Sequence, residues 1–229
     1  MDSRYLLHLV TDRSLSRGRT LLELVTEGVV GGVTCVQLRE KECSTREFLH
    51  EAFLLSRFLK PIGIPLIIND RIDIALAVGA DGVHLGQNDM PIGIARSLGP
   101  PNWIIGISAE SVDDAVSAEN EGADYIGVSP VFGTPTKTDT STPLGLEGLQ
   151  MIRMAVRAPL VAIGGINSAN AGEVITAGAD GLAVVSAIVS ADFPRKSATE
   201  IIQEIERAKA GKADFKLLSS SQTTILSSE

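Results

Sequence analysis

Two Asn-Asp pairs follow short strand-like runs: Asn69-Asp70 opens "NDRIDIALAVGAD", and Asn88-Asp89 closes "VHLGQND". Aspartate at such a junction is ordinarily a helix N-cap, and "RIDIALAV" does read as a helix. A second set makes the pairs more than punctuation. In "VQLREKE" the residues Gln37, Arg39 and Lys41 alternate, so an extended strand sends all three to one side. Such alternation is commonly a solvated edge. At the exit of a covered strand it presents two cations to an anion with at least two charges. Carboxylates beside cations suit a hard divalent ion held between protein and polyphosphate. Magnesium typically takes one or two carboxylates and fills its shell with water and phosphate oxygens.

Further candidates occur downstream. Ser108 in "GISAES" places a small hydroxyl at a strand end, with Ser111 as the expected cap of the next helix. No strand-end histidine and acid accompany Ser108 as a triad, so a serine nucleophile is disfavoured. The stretch "SPVFGTPTKTDTSTPLG" from Ser129 to Gly145 is a long loop carrying Thr134, Thr136 and Lys137. Hydroxyls with one lysine suit phosphate oxygens and closure over a substrate, a disordered tip being the plainer alternative. "AIGGIN" brings Gly164-Gly165, and "AVVSAI" brings Ser186 at the start of a short helix whose N–H groups could meet an anion.

The elements that must position these residues read as eight βα units. Strands are expected near Tyr5–Val10, Thr34–Arg39, Leu66–Ile68, Gly82–Leu85, Trp103–Ile107, Tyr125–Val128, Leu160–Ile163 and Gly181–Val185. Helical periodicity fills the gaps, as in "TLLELVTEGV" and "REFLHEAFLLSRFL". Gly-Ala-Asp precedes strands four, six and eight, and Gly31-Gly32-Val33 precedes strand two. Pro65, Pro101 and Pro159 precede strands three, five and seven. This odd–even alternation favours a closed parallel α/β fold, a single (β/α)8 TIM barrel, over a doubly wound sheet, because barrel strands fill alternate core layers. The active site is then expected at the C-terminal face, where the loops after strands seven and eight frequently bind phosphate.

At 229 residues with 44% hydrophobic and 21% charged content, the chain suits a globular core. A net charge of −8 argues against nucleic acid as a partner. No run is long enough for a membrane span, and the start lacks the signature of a leader. Two cysteines, Cys35 and Cys43, form neither a disulfide framework nor a metal motif, which points to a cytoplasmic setting. The barrel is assigned to residues 1–210; residues 211–229 form a polar, Ser-rich tail expected to be disordered and dispensable. A homo-oligomer is left open.

"QLREK", "INDRIDIALAVGADGVHLGQND", "GVSPVFGTPTKTDT", "AIGGIN" and "GADGLAVVSAI" together resemble the motifs of the thiamine-phosphate synthase family, from "LVTD" to about residue 188. The resemblance implies a transferase of thiamine biosynthesis on a (β/α)8 barrel. Its members join hydroxymethylpyrimidine diphosphate to hydroxyethylthiazole phosphate, giving thiamine phosphate and diphosphate. Carried over residue by residue, Gln37, Arg39, Lys41, Asn69 and Lys137 would face the pyrimidine diphosphate, with Ser108 beside the reacting pyrimidine. Asp70 and Asp89 would hold Mg2+. Thr134, Thr136, Gly165, Val185 and Ser186 would hold the thiazole phosphate. The implied reaction is dissociative, so Arg39, Lys41, Lys137 and Ser108 act by charge and alignment rather than as nucleophiles. Ser129 stands where many relatives have glycine, and His84 reads as a packed barrel residue. The alternatives are a thiazole tautomerase, which has no need of the full cation and carboxylate set, and a non-catalytic thiamine-pathway binding protein.

Overall fold

The computed structural model describes residues 3–133 and 142–226. Its strands are β1 (Leu7–Val10), β2 (Cys35–Leu38), β3 (Leu66–Asn69), β4 (Gly82–Leu85), β5 (Ile104–Ala109), β6 (Tyr125–Val128), β7 (Leu160–Ile163) and β8 (Gly181–Val184). Each pairs in parallel with the next, and β8 returns to β1. The expected barrel is the observed one. Two strand limits differ in ways that matter. β2 stops at Leu38, leaving Arg39 on the exit loop, whereas β5 runs on through Ser108 and holds that hydroxyl on a rigid element.

The helices are α1 (Leu21–Val30), α2 (Thr45–Leu59), α3 (Ile72–Val78), α4 (Ile92–Leu98), α5 (Val112–Asn120), α6 (Gly145–Ala155), α7 (Ala171–Ala177), α8 (Ser186–Val189) and α9 (Pro194–Leu226). Capping residues start several of them. Thr20 with Glu23 and Ser44 with Glu47 form reciprocal capping boxes, and Ser111 accepts from the Asp114 amide. One apolar cluster joins the helices to the outer barrel wall; a second, including Tyr5, Val10, Ile67, Tyr125 and Val161, fills the inside. α9 continues past Gly211, and Lys209 ties it to the Asp180 carbonyl. Among the described residues no helix is long and apolar enough to cross a membrane.

The Gly-Ala-Asp repeat has a structural cause beyond turning. Gly79, Gly122 and Gly178 adopt positive φ of 61°, 86° and 128°, which ends each helix cheaply. The following aspartates then reach across the barrel's lower rim. Asp81 accepts the Leu66 amide at 2.8 Å, Asp124 the Ile105 amide at 2.8 Å, and Asp180 the Leu160 amide at 2.9 Å. Before β2, Thr34 plays the same part for the Leu7 amide at 2.9 Å. Each even strand thus satisfies a donor at the start of its odd neighbour, where an open amide would be costly. The repeat belongs to stability and leaves the upper rim to chemistry.

Candidate active site

The C-terminal mouth encloses a cavity of about 480 Å³. Gln37, Arg39 and Lys41 from β2 and its exit line one side; Asn69 and Asp70 follow from β3. Asn88 and Asp89 come from the loop after β4, Ser108 from β5, and Gly165, Val185 and Ser186 from the exits of β7 and β8. Every expected site residue in the described part of the chain therefore reaches one cavity. Thr134, Thr136 and Lys137 lie outside the described residues.

The charged side of the mouth is tightly paired. Lys41 Nζ lies 2.5 Å from Asp70 Oδ2. Arg39 Nη1 meets Asp12 Oδ2 at 3.4 Å, and the Arg39 amide donates to Thr11 Oγ1 at 3.0 Å, so the exits of β1 and β2 are tied together. Asp12 is a partner that reading strand ends alone missed, because its pairing is with Arg39, 27 residues away on the next strand's exit, and not with the adjacent Arg13.

The capping alternative for the two aspartates fails. α3 has Arg71 at its N-cap with no side-chain bond, and α4 has Pro91 there, also without one. Asp70 instead takes φ = 60°, a left-handed conformation that aspartate adopts more readily than most residues. Its amide is held by the His84 carbonyl at 2.9 Å while its carboxylate pairs with Lys41. Asp89 accepts the Gly86 amide at 2.7 Å. Burial raises the Asp89 carboxyl above its ordinary range, and the adjacent Asp70 carboxylate pushes it further, against the Gly86 bond. Two carboxyl groups this close make a natural seat for a cation. Among the described residues no group of three or more His, Cys, Asp or Glu is arranged to hold a metal. The pair fits an ion that completes its shell with water and substrate oxygens, not a closed structural site.

The floor differs from its sequence reading. His84 is packed in the barrel as expected, but a strand-end histidine does accompany Ser108, contrary to the sequence reading: Nδ1 lies 2.8 Å from the Tyr125 hydroxyl and Nε2 2.9 Å from Ser108 Oγ. Gln87 Nε2 donates to the Ser108 carbonyl at 2.6 Å. Deeper in the barrel His8 is buried, and among the described residues neither ring nitrogen has a partner within hydrogen-bond distance. Burial first, then the nearby His84 ring, lowers its pKa to about 3, the Arg4 backbone acting weakly in the opposite sense.

Across the mouth, Gly164 and Gly165 take φ of 109° and 64°. What crowds them is the chain after β6. A Cβ on Gly164 would fall 2.9 Å from Pro130 Cα, and one on Gly165 would fall 2.8 Å from the Gly133 carbonyl oxygen. The Val131 amide bonds Ile163 and the Phe132 amide bonds Gly164, so the glycines seat the base of that loop against β7. Val185 caps α8, and Ser186 begins it.

Comparison with known proteins places these features in context. The family model described as thiamine monophosphate synthase matches residues 7–188. A thiamine-phosphate synthase of Albidiferax ferrireducens is 57% identical over 87% of this chain and 91% of its own length. One of Chloroflexus aurantiacus is 52% identical over 85% and 90%. Among solved structures, a thiamine phosphate pyrophosphorylase from Pyrococcus furiosus aligns with a TM-score of 0.82 at 41% identity, covering 90% of this chain and 98% of that one.

Proposed function

The chain belongs to the thiamine monophosphate synthase family, and its activity is that of a thiamine-phosphate synthase, a transferase; from this premise we propose how its residues divide the work. Arg39 and Lys41, with Gln37, Asn69 and Lys137, bind the diphosphate of a hydroxymethylpyrimidine diphosphate. Asp70 and Asp89 would hold Mg2+, which when bound supplies charge neutralisation to the departing diphosphate. Ser108 orients the pyrimidine. Gly165, Val185 and Ser186 receive the phosphate of the hydroxyethylthiazole phosphate, with Thr134 and Thr136 as further binding residues.

The observation that carries this reading is the gathering of two cations and two carboxylates on one rim; on the floor below, the imidazole beside Ser108 is ordered by the Tyr125 hydroxyl and not by a carboxylate. Such a site is suited to a dissociative substitution. The carbon–oxygen bond to diphosphate breaks first, the electron pair leaving with the diphosphate. The thiazole nitrogen then attacks the pyrimidinylmethyl cation, forming the new carbon–nitrogen bond. Arg39 and Lys41 stabilise the leaving charge, and the cavity walls hold the two rings in line. No covalent enzyme intermediate is required. Cys35 and Cys43 are both free thiols, which accords with a cytoplasmic setting.

The test is release of diphosphate by the purified protein given pyrimidine diphosphate and Mg2+, with and without thiazole phosphate. Thiamine phosphate formed in equal amount, only with both substrates and the metal, is the expected result. Binding of either compound without turnover would move the assignment to the tautomerase or the binding protein.

A further inference from the structure

Below the charged rim, three side chains on adjacent strands form a file that binding alone does not use. Tyr125 on β6 is buried, and its hydroxyl meets His84 Nδ1 from β4; His84 Nε2 meets Ser108 Oγ on β5. Strand register explains how residues two strands apart can touch. Both His84 and Tyr125 pair with Gly106, the residue on β5 that lies between them. A Cβ on Gly106 would fall 2.1 Å from Tyr125 Cζ, so the missing side chain is the slot through which the phenol reaches the imidazole. Gly127, level with Ser108, leaves the matching slot for the imidazole: a Cβ there would fall 2.8 Å from His84 Cε1. The rings are wedged, and the geometry of the file is set by the barrel.

A neutral imidazole has one N–H and one lone pair, so its two contacts run in opposite senses. The phenol is the stronger acid and weaker base of the partners, while the imidazole nitrogen is the best acceptor present. Burial raises the Tyr125 pKa well above its ordinary value, so the phenol keeps its proton to donate. The order is therefore Tyr125 O–H to Nδ1, then Nε2–H to Ser108 Oγ. With that oxygen accepting from His84, the serine's own hydrogen is left for the cavity that it lines.

We infer that Tyr125 and His84 are positioning residues that hold the Ser108 hydroxyl as a hydrogen-bond donor toward an accepting atom of the pyrimidine diphosphate. The inference rests on the synthase reading for its substrate, but its polarity is a property of the protein alone. That allows two arms.

The first uses the unsubstituted protein labelled with 15N-histidine. The chain has three histidines, so a long-range proton–nitrogen spectrum is simple, and loss of signals in His84→Gln assigns the ring. The Nε2–H tautomer at neutral pH is expected; the Nδ1–H tautomer or a doubly protonated ring overturns the inference. The second arm is kinetic. Tyr125→Phe should lower kcat/KM for the pyrimidine diphosphate about ten-fold, the scale of one buried hydrogen bond, and leave KM for the thiazole phosphate unchanged. In a Ser108→Ala background the same substitution should cost less than about two-fold, because its route to substrate is already gone. Losses that multiply would show that Tyr125 acts independently of Ser108 and overturn the inference. If the parent protein makes no thiamine phosphate, the synthase reading fails while the spectrum still reads the file. If Tyr125→Phe does not fold, the spectrum of the parent protein still decides.

Discussion

Replacing His8 with leucine should make the barrel less sensitive to acid. The folded protein holds this imidazole at a pKa of about 3, against 6.5 in the open chain. Between those values the unfolded state binds a proton that the folded state refuses. The contribution is therefore complete above about pH 6.5 and is lost as the pH falls toward 3. At about pH 5 that loss is about 2 kcal/mol, from 1.36 kcal/mol per unit across the roughly 1.5 units below the open-chain value. Leucine has no titrating group and is close in volume, and it removes two buried nitrogens that have no hydrogen-bond partners among the described residues. Urea unfolding of parent and variant at about pH 7.5 and about pH 5 measures the effect, with background titrations cancelling in the double difference. The parent should lose about 2 kcal/mol more than the variant between the two conditions. Equal losses would refute the reasoning and show that the ring reaches water or a partner. The residue also bears on the proposed reaction, because His8 lines the cavity. A neutral ring at the floor adds no positive charge beneath a carbocation formed above it.

Three more outcomes follow from the rim and from the last helix. Asp70→Asn or Asp89→Asn should lower Mg2+-dependent turnover by about 10- to 100-fold with little change in melting temperature, and unaltered magnesium dependence in either variant would remove that residue from the clamp. Because burial and Asp70 raise the Asp89 pKa above 3.8, protons would compete with a metal held there. The half-saturating Mg2+ concentration should fall as pH rises through the range in which Asp89 ionises, and this dependence should flatten in Asp70→Asn. A parent response already flat would refute it. A chain ending at Lys212, whose ammonium still reaches the Ile175 carbonyl, should keep kcat/KM within about two-fold, as steady-state assay would show; a larger loss would give the removed end of α9 a part in the barrel or the site.

Much of the fold was legible because it repeats. Helix-ending glycines and lower-rim aspartates recur with a spacing that an open sheet does not need, and the barrel places them in hydrogen-bonded positions three times over. The placement of Asp70 and Asp89 at the mouth was legible for a related reason: residues at strand exits face the cavity of a closed barrel. Arg39 shows where this stops. Its charge was readable, but its pairing with Asp12 depends on how the β1 exit lies against that of β2, which strand periodicity does not encode.

The floor was harder to read, and the reason is register. In sequence, His84 is one polar residue inside "GVHL" and Tyr125 one aromatic at the head of "YIGV"; each alone is most simply a packed side chain. Their meeting depends on Gly106, which a sequence reader assigns to strand five without knowing which residues flank it. Only the parallel pairing, with His84 and Tyr125 both opposite Gly106, turns a missing side chain into a passage between two rings. A glycine inside a strand weakens it unless something approaches closely. In this barrel, what approaches at Gly106 is a phenol hydrogen-bonded to the imidazole beneath Ser108.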